Sequence, residues 1–143
     1  MALKIDLKAG ERFILGDCIV TNHQHTQLVI EGKTPVLREK DIMTADQANT
    51  PAKCIYLAVQ LMYTAPDPRL YHQTYFVLMS DLLQAAPSAW SHMVAISNHI
   101  LAGEMYKALK SAKALISYEK EILDHATRGP NLQLGRQTDR KSA

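Results

Sequence analysis

Apolar positions in the first 42 residues alternate or come in short runs: Leu3, Ile5 and Leu7; Phe13, Ile14 and Leu15; Cys18, Ile19 and Val20; Leu28, Val29 and Ile30. Turn-forming residues separate these runs, so the pattern predicts four or five strands of ordinary length. The β part is expected to end near Met43, with Thr44 to Thr50 as a polar connector.

Beyond it the period becomes helical. Thr50-Pro51 is a helix start: the hydroxyl caps free amides and the proline's fixed φ suits the first helical position. The first helix is expected from Pro51 to about Tyr63, with Cys54, Ile55, Ala58, Val59, Leu61 and Met62 inward, stopped by Ala65-Pro66-Asp67-Pro68. A second, capped by Asp67, turns Leu70, Thr74, Val77, Leu78 and Leu82 to the core and ends at Pro87. A third, Ser88 to about Ala102, places Trp90, Met93, Val94, Ser97, Ile100 and Leu101 on one side, before Gly103. The fourth, Glu104 to about Ala126, carries Met105, Leu109, Ala112, Ile116 and Leu123, and Arg128-Gly129-Pro130 closes it.

The expected fold class is therefore α+β. A small antiparallel β-sheet module, residues 1–43, precedes a bundle of three to four helices, residues 51–128. The polar remainder, residues 129–143, has no periodicity and is expected to be disordered.

With 143 residues, 47% of them hydrophobic, the chain can bury a sizeable core. Charged or polar residues interrupt every apolar run before the roughly 20 residues a membrane helix needs. The first residues also lack a signal-peptide pattern, so a cytoplasmic location is expected. Cys18 and Cys54 have no metal-ligand spacing and read as buried small hydrophobes.

A formal charge of +2 is too small to mark a nucleic-acid binder by its field. Residues 1–49 carry −1, residues 50–128 carry +1 and residues 129–143 carry +2. Any RNA contact must come from a few positioned side chains.

Catalytic chemistry finds no support. The chain has no Gly-x-Ser-x-Gly, no glycine-rich phosphate loop and no carboxylate pair in an apolar setting. His23 and His25 lack a third ligand and read as a polar hairpin loop rather than a metal site. Neither an enzyme nor a cofactor is expected.

Longer strings carry more. Met1 to Asp17 (MALKIDLKAGERFILGD), Leu37 to Thr44 (LREKDIMT), Ile55 to Tyr63 (IYLAVQLMY) and Asn98 to Gly103 (NHILAG) resemble the flagellar biosynthesis repressor FlbT family of alphaproteobacteria, over Met1 to about Ile122. That resemblance implies a post-transcriptional regulator that acts on the leader of flagellin messenger RNA and limits flagellin synthesis.

Gly10-Glu11-Arg12-Phe13-Ile14-Leu15-Gly16-Asp17 and Val36-Leu37-Arg38-Glu39-Lys40-Asp41-Ile42 also resemble the carbon storage regulator family, β-rich dimers that clamp a GGA-containing RNA loop. Each block has one residue more than that family's pattern. By matched position the resemblance gives RNA-binding roles to Lys8 and Arg38, while Leu7 stands where a second arginine is usual. Lys4 and Arg12, cations of the same module, join the candidate set. Arginine suits the role because its planar fork pairs with guanine edges or phosphate. The competing reading of Arg38 is an ion pair with Glu39, Asp41 or Glu31.

In the helices, exposed members of Tyr56, Tyr63, Tyr71, Tyr75, Tyr106 and Tyr118 would suit a protein partner. Lys107, Lys110 and Lys113 would flank a groove, grip phosphates, or simply line a solvated face. Two classes of function follow. The first is a repressor, expected as a homodimer, bound to the flagellin mRNA leader. The second is an adaptor whose helices hold flagellin or another flagellar regulator.

Overall fold

The structure, a computed structural model, describes residues 2–133, with side chains to residue 126. Five strands precede four helices: β1 (Ala2–Leu7), β2 (Arg12–Leu15), β3 (Cys18–Thr21), β4 (Thr26–Glu31), β5 (Val36–Arg38), α1 (Pro51–Thr64), α2 (His72–Ala85), α3 (Trp90–Leu101) and α4 (Met105–Gln133). The α+β class is as expected.

The strands form two antiparallel sheets rather than one. In the first, β1 pairs with β4, and Ile5 lies opposite Leu28. In the second, ordered β3-β2-β5, Ile14 lies between Ile19 and Leu37. Strand alternation gives the second sheet two apolar faces. Phe13, Leu15, Val20 and Val36 pack with Ile5, Leu7, Leu28 and Ile30 of the first sheet. Ile14 and Leu37 join the helical core. The middle sheet thus joins the outer sheet to the helices.

The β2–β3 hairpin turns on Gly16-Asp17. Gly16 has a φ of +64°, and a Cβ there would lie 2.9 Å from Thr34 Cγ2, so this position needs glycine on two counts.

The helix starts follow their local signals. The Thr50 side chain accepts from the Lys53 amide at 3.2 Å, and Asp67 accepts from the Arg69 amide at 3.1 Å. Asp67 opens a 3-10 turn, Pro68–Tyr71, before α2 begins.

Much of each expected face is buried, Ile55, Val59, Met62, Leu82, Met93, Ile100 and Leu109 among it, but other positions differ. Tyr75, Ile96 and Leu115 are buried, whereas Leu70, Val77, Trp90, Leu101 and Leu123 are exposed and Leu61 is just exposed. These helices carry apolar residues on more than one side, so packing partners decide which side is covered. Cys18, expected inside, is exposed, and Cys54 is half-buried. Helix α4 continues past its expected end near Ala126, to Gln133. Most of the tail expected to be disordered, residues 129–143, lies outside the described residues. No helix among the described residues is long and apolar enough to cross a membrane.

One face of α1 is bonded to the chain that leaves the sheet. Tyr56, Gln60 and Tyr63 recur at i, i+4 and i+7. The Tyr56 hydroxyl donates to the Asp41 carbonyl. The Gln60 amide donates to the Met43 carbonyl at 3.0 Å and accepts from the Met43 amide at 2.7 Å. Tyr63 donates to the Val36 carbonyl at 3.1 Å and accepts from its amide at 3.3 Å. Five backbone groups that lie beyond regular ladder pairing are satisfied this way.

Candidate nucleic-acid interface

Arg38 ends β5, two residues beyond Val36 and on the same side, facing the outer sheet. Its Nη2 donates to the Asp6 carbonyl at 2.6 Å and to Glu11 Oε2 at 3.0 Å. The ion pair expected with Glu39, Asp41 or Glu31 is formed instead with Glu11. The other Glu11 oxygen accepts from the Lys8 amide at 3.0 Å. That amide bond, followed by the Arg38 guanidinium, holds the Glu11 carboxyl below its usual range. The Arg38 Nε is enclosed with no acceptor among the described residues.

The four candidate cations do not converge. Lys4 and Arg38 line one cleft of about 440 Å³. It opens between β1, β5 and the helices, and Lys40, Tyr63 and Tyr106 complete its polar and aromatic wall. Lys8 and Arg12 lie outside that lining. Both are exposed and lie near the far end of β1, where their amides bind Glu11 and Glu39. Glu39 takes the Arg12 amide at 2.7 Å, so it holds β2 beside β5 rather than pairing with Arg38.

The cleft wall carries more cations than acids although the chain is near neutral. Among the described residues no carboxylate pairs with Lys4, Lys40 or Lys110, while Asp41, the acid in the cleft wall, is bound by Lys113. Of the three lysines at the start of α4, Lys107 pairs with Glu104 at 3.3 Å and Lys113 with Asp41. Lys110 instead sits 5.3 Å from the Tyr106 ring centroid, in cation–π range.

The tyrosines sort by hydroxyl partner. Tyr56 and Tyr63 bind backbone, Tyr75 meets Ser97 at 2.8 Å, and Tyr118 donates to Ser88 at 2.6 Å. Burial, with Asp41 beside it, pushes the Tyr56 phenol up; burial also raises Tyr63 and Tyr75. Tyr106 differs: it is 45% exposed, its ring 6.0 Å from that of Tyr63. Sequence reasoning grouped all six as possible partner anchors. The distinguishing signal was Lys110 one turn after Tyr106, a spacing that puts a cation over a ring on one helix face.

His25 lies 3.1 Å from Asp6 on an exposed edge. The described residues contain no cluster of three or more potential metal ligands.

Comparison with known proteins adds identity to this geometry. The family model described as flagellar protein FlbT matches residues 3–123. The chain is 52% identical over 124 residues to a probable flagellum biosynthesis repressor protein FlbT 1 of Bradyrhizobium diazoefficiens, covering 85% of each chain. It is 45% identical over 124 residues to a probable FlbT repressor of Rhodopseudomonas palustris, covering 86% of this chain and 98% of that one. To the flagellum biosynthesis repressor protein FlbT of Caulobacter vibrioides it is 38% identical over 133 residues, covering 90% and 94%. No solved structure matches it. A match that spans both the β module and most of the helices places the chain in the FlbT family of flagellar proteins.

Proposed function

We propose that this protein represses flagellum biogenesis in the cytoplasm as a non-enzymatic regulator. It binds the 5′ untranslated leader of flagellin messenger RNA, which limits translation and promotes decay of the message. The names of its relatives support the repressor reading. The observation that carries the RNA reading is the cleft of about 440 Å³, where Arg38 and Lys4 meet Lys40 and two tyrosines.

Three cations and aromatic rings match a ligand of phosphates and flat bases. Arg38 keeps Nη1 without an acceptor among the described residues, since only Nη2 is taken by Asp6 and Glu11. Lys8 and Arg12, outside the cleft on the same module, are the next cations on a longer RNA path. Occupancy near a ribosome-entry site blocks initiation and leaves the message exposed to decay. A homodimer would present two such clefts.

A second reading, an adaptor for flagellin or another flagellar regulator, is favoured by a different hollow. It measures about 310 Å³ and is lined by Ile14, Cys18, Ile19, Leu61, Pro66 and Leu70. Exposed Ile19 and Leu70 at its rim suit an apolar partner.

Fluorescence anisotropy on a labelled flagellin-leader RNA separates the two. The RNA reading expects binding that falls in Lys4→Ala and Arg38→Ala proteins whose circular dichroism is unchanged. Absence of RNA binding, with a stable flagellin complex that Ile19→Asp destroys, would establish the adaptor.

A further inference from the structure

We infer that Tyr106 and Lys110 of α4 form a stacking platform for an unpaired base, so that RNA is held between the helical bundle and the β module, not by the module alone. The inference rests on the RNA reading of the cleft and adds the form of RNA it takes.

Three observations carry it. Tyr106 is the exposed tyrosine of the cleft, and its hydroxyl has no hydrogen-bond partner among the described residues. Burial does not account for its position, since it is 45% exposed and lines the cleft. Two neighbours nevertheless restrain its orientation. Lys110 stands 5.3 Å from the ring centroid, and the Tyr63 ring lies 6.0 Å away at 46°. Tyr63 is in turn held to β5 by its two bonds to Val36. A ring held this way loses little freedom when a base settles on it.

The surrounding charge selects the ligand. Lys40 after β5 and Lys4 on β1 line the cleft, Lys110 on α4 stands beside it over the Tyr106 ring, and Asp41 is neutralised by Lys113. That arrangement fits a phosphate chain passing over an aromatic face. It does not fit a duplex, whose bases are stacked on one another and expose no π-face. The RNA bound here is therefore a loop or a single-stranded stretch.

The test is anisotropy of the full-length protein with a fluorescein-labelled flagellin-leader RNA, its fully complementary duplex as competitor, and Tyr106→Ala and Tyr106→Phe proteins. Because Tyr106 is exposed and its hydroxyl makes no bond, both variants should fold; far-UV circular dichroism checks this. Tyr106→Ala is expected to weaken binding about 5- to 100-fold. Tyr106→Phe, which keeps the ring, should stay within about twofold, and the duplex should compete poorly. If Tyr106→Ala binds as well as the parent while Lys4→Ala or Arg38→Ala loses binding, the platform is overturned and the RNA reading stands. If the parent protein fails to bind the leader, the RNA reading itself fails. Binding of flagellin but not RNA, lost in Tyr106→Ala, would assign the cleft to a protein and overturn the platform.

Discussion

The Tyr63 hydroxyl closes a two-bond ring with a single residue of the sheet, donating to the Val36 carbonyl at 3.1 Å and accepting from the Val36 amide at 3.3 Å. One turn earlier Gln60 does the same for Met43. A helix side chain thus supplies the pairing that a neighbouring strand would otherwise give, and the sheet is joined to the bundle without an extended interface.

Removing these groups should leave backbone atoms unpaired. Gln60 is buried, so Gln60→Leu is expected to cost about 1–3 kcal/mol, and Tyr63→Phe about 1 kcal/mol. Urea denaturation measures both. Equal midpoints for parent and Gln60→Leu would show that water replaces the lost bonds at no cost.

A second prediction concerns Glu119 of α4, whose Oε2 accepts from the Ala52 amide at 2.9 Å. Ala52 is fully buried in the first turn of α1, where free amides need acceptors and the helix dipole favours a negative charge. Glu119→Ala should destabilise by about 1–2 kcal/mol. Glu119→Gln, which keeps an acceptor oxygen, should lose only a few tenths. Unfolding midpoints of the two variants give the comparison, and equal losses would mean that the charge rather than the hydrogen bond matters.

These contacts also show what was legible in the sequence. Thr50-Pro51 was read correctly as the start of α1 because a cap acts over two or three residues, while Asp67-Pro68 opens a 3-10 turn and α2 begins only at His72. The change from period two to a helical period gave strands first and helices after, the order the structure has. The buried sides of α2 and α3 were legible only in part: Leu82, Met93 and Ile100 are buried as expected, but Trp90, Leu101 and Val77 are exposed while Tyr75 and Ile96 are buried in their place. Which side is covered depends on neighbours distant in sequence. Arg38 and Lys4 were found as cations, but the Glu11 partner of Arg38 lies 27 residues away, and nothing local marks it among the nearby acids. Tyr106 was named with five other tyrosines, and the exposure that sets it apart is decided by tertiary packing.

The Glu11–Arg38 pair should make stability sensitive to acid. The folded-state carboxyl lies below its usual value of 4.5, first because of the Lys8 amide bond and then because of Arg38. A depressed folded value means that the stabilisation is present above the unfolded value and is lost as pH falls through the folded one. The parent should therefore lose stability between about pH 5 and its folded-state value. Glu11→Gln should be less stable at neutral pH and lose less over that interval. Urea midpoints at pH 7, 5 and 3.5 test this; parallel pH profiles for the two proteins would assign the acid sensitivity to other carboxylates.

Salt dependence tests the charge pattern of the cleft rather than its aromatic wall. Lys4, Arg38, Lys40 and Lys110 are the cations around it, and four phosphate contacts to single-stranded RNA give a slope of about −3 in log K against log salt. Lys40→Ala should reduce that slope by about 0.7, since one counterion fewer is released. Tyr106→Ala should lower affinity at every salt concentration and leave the slope unchanged, because stacking releases no counterion. A slope much steeper than −3 would place additional cations on the RNA path, Lys8 and Arg12 first among them. A slope near zero would mean that the leader does not follow these lysines, and the cleft would lose its assignment to RNA.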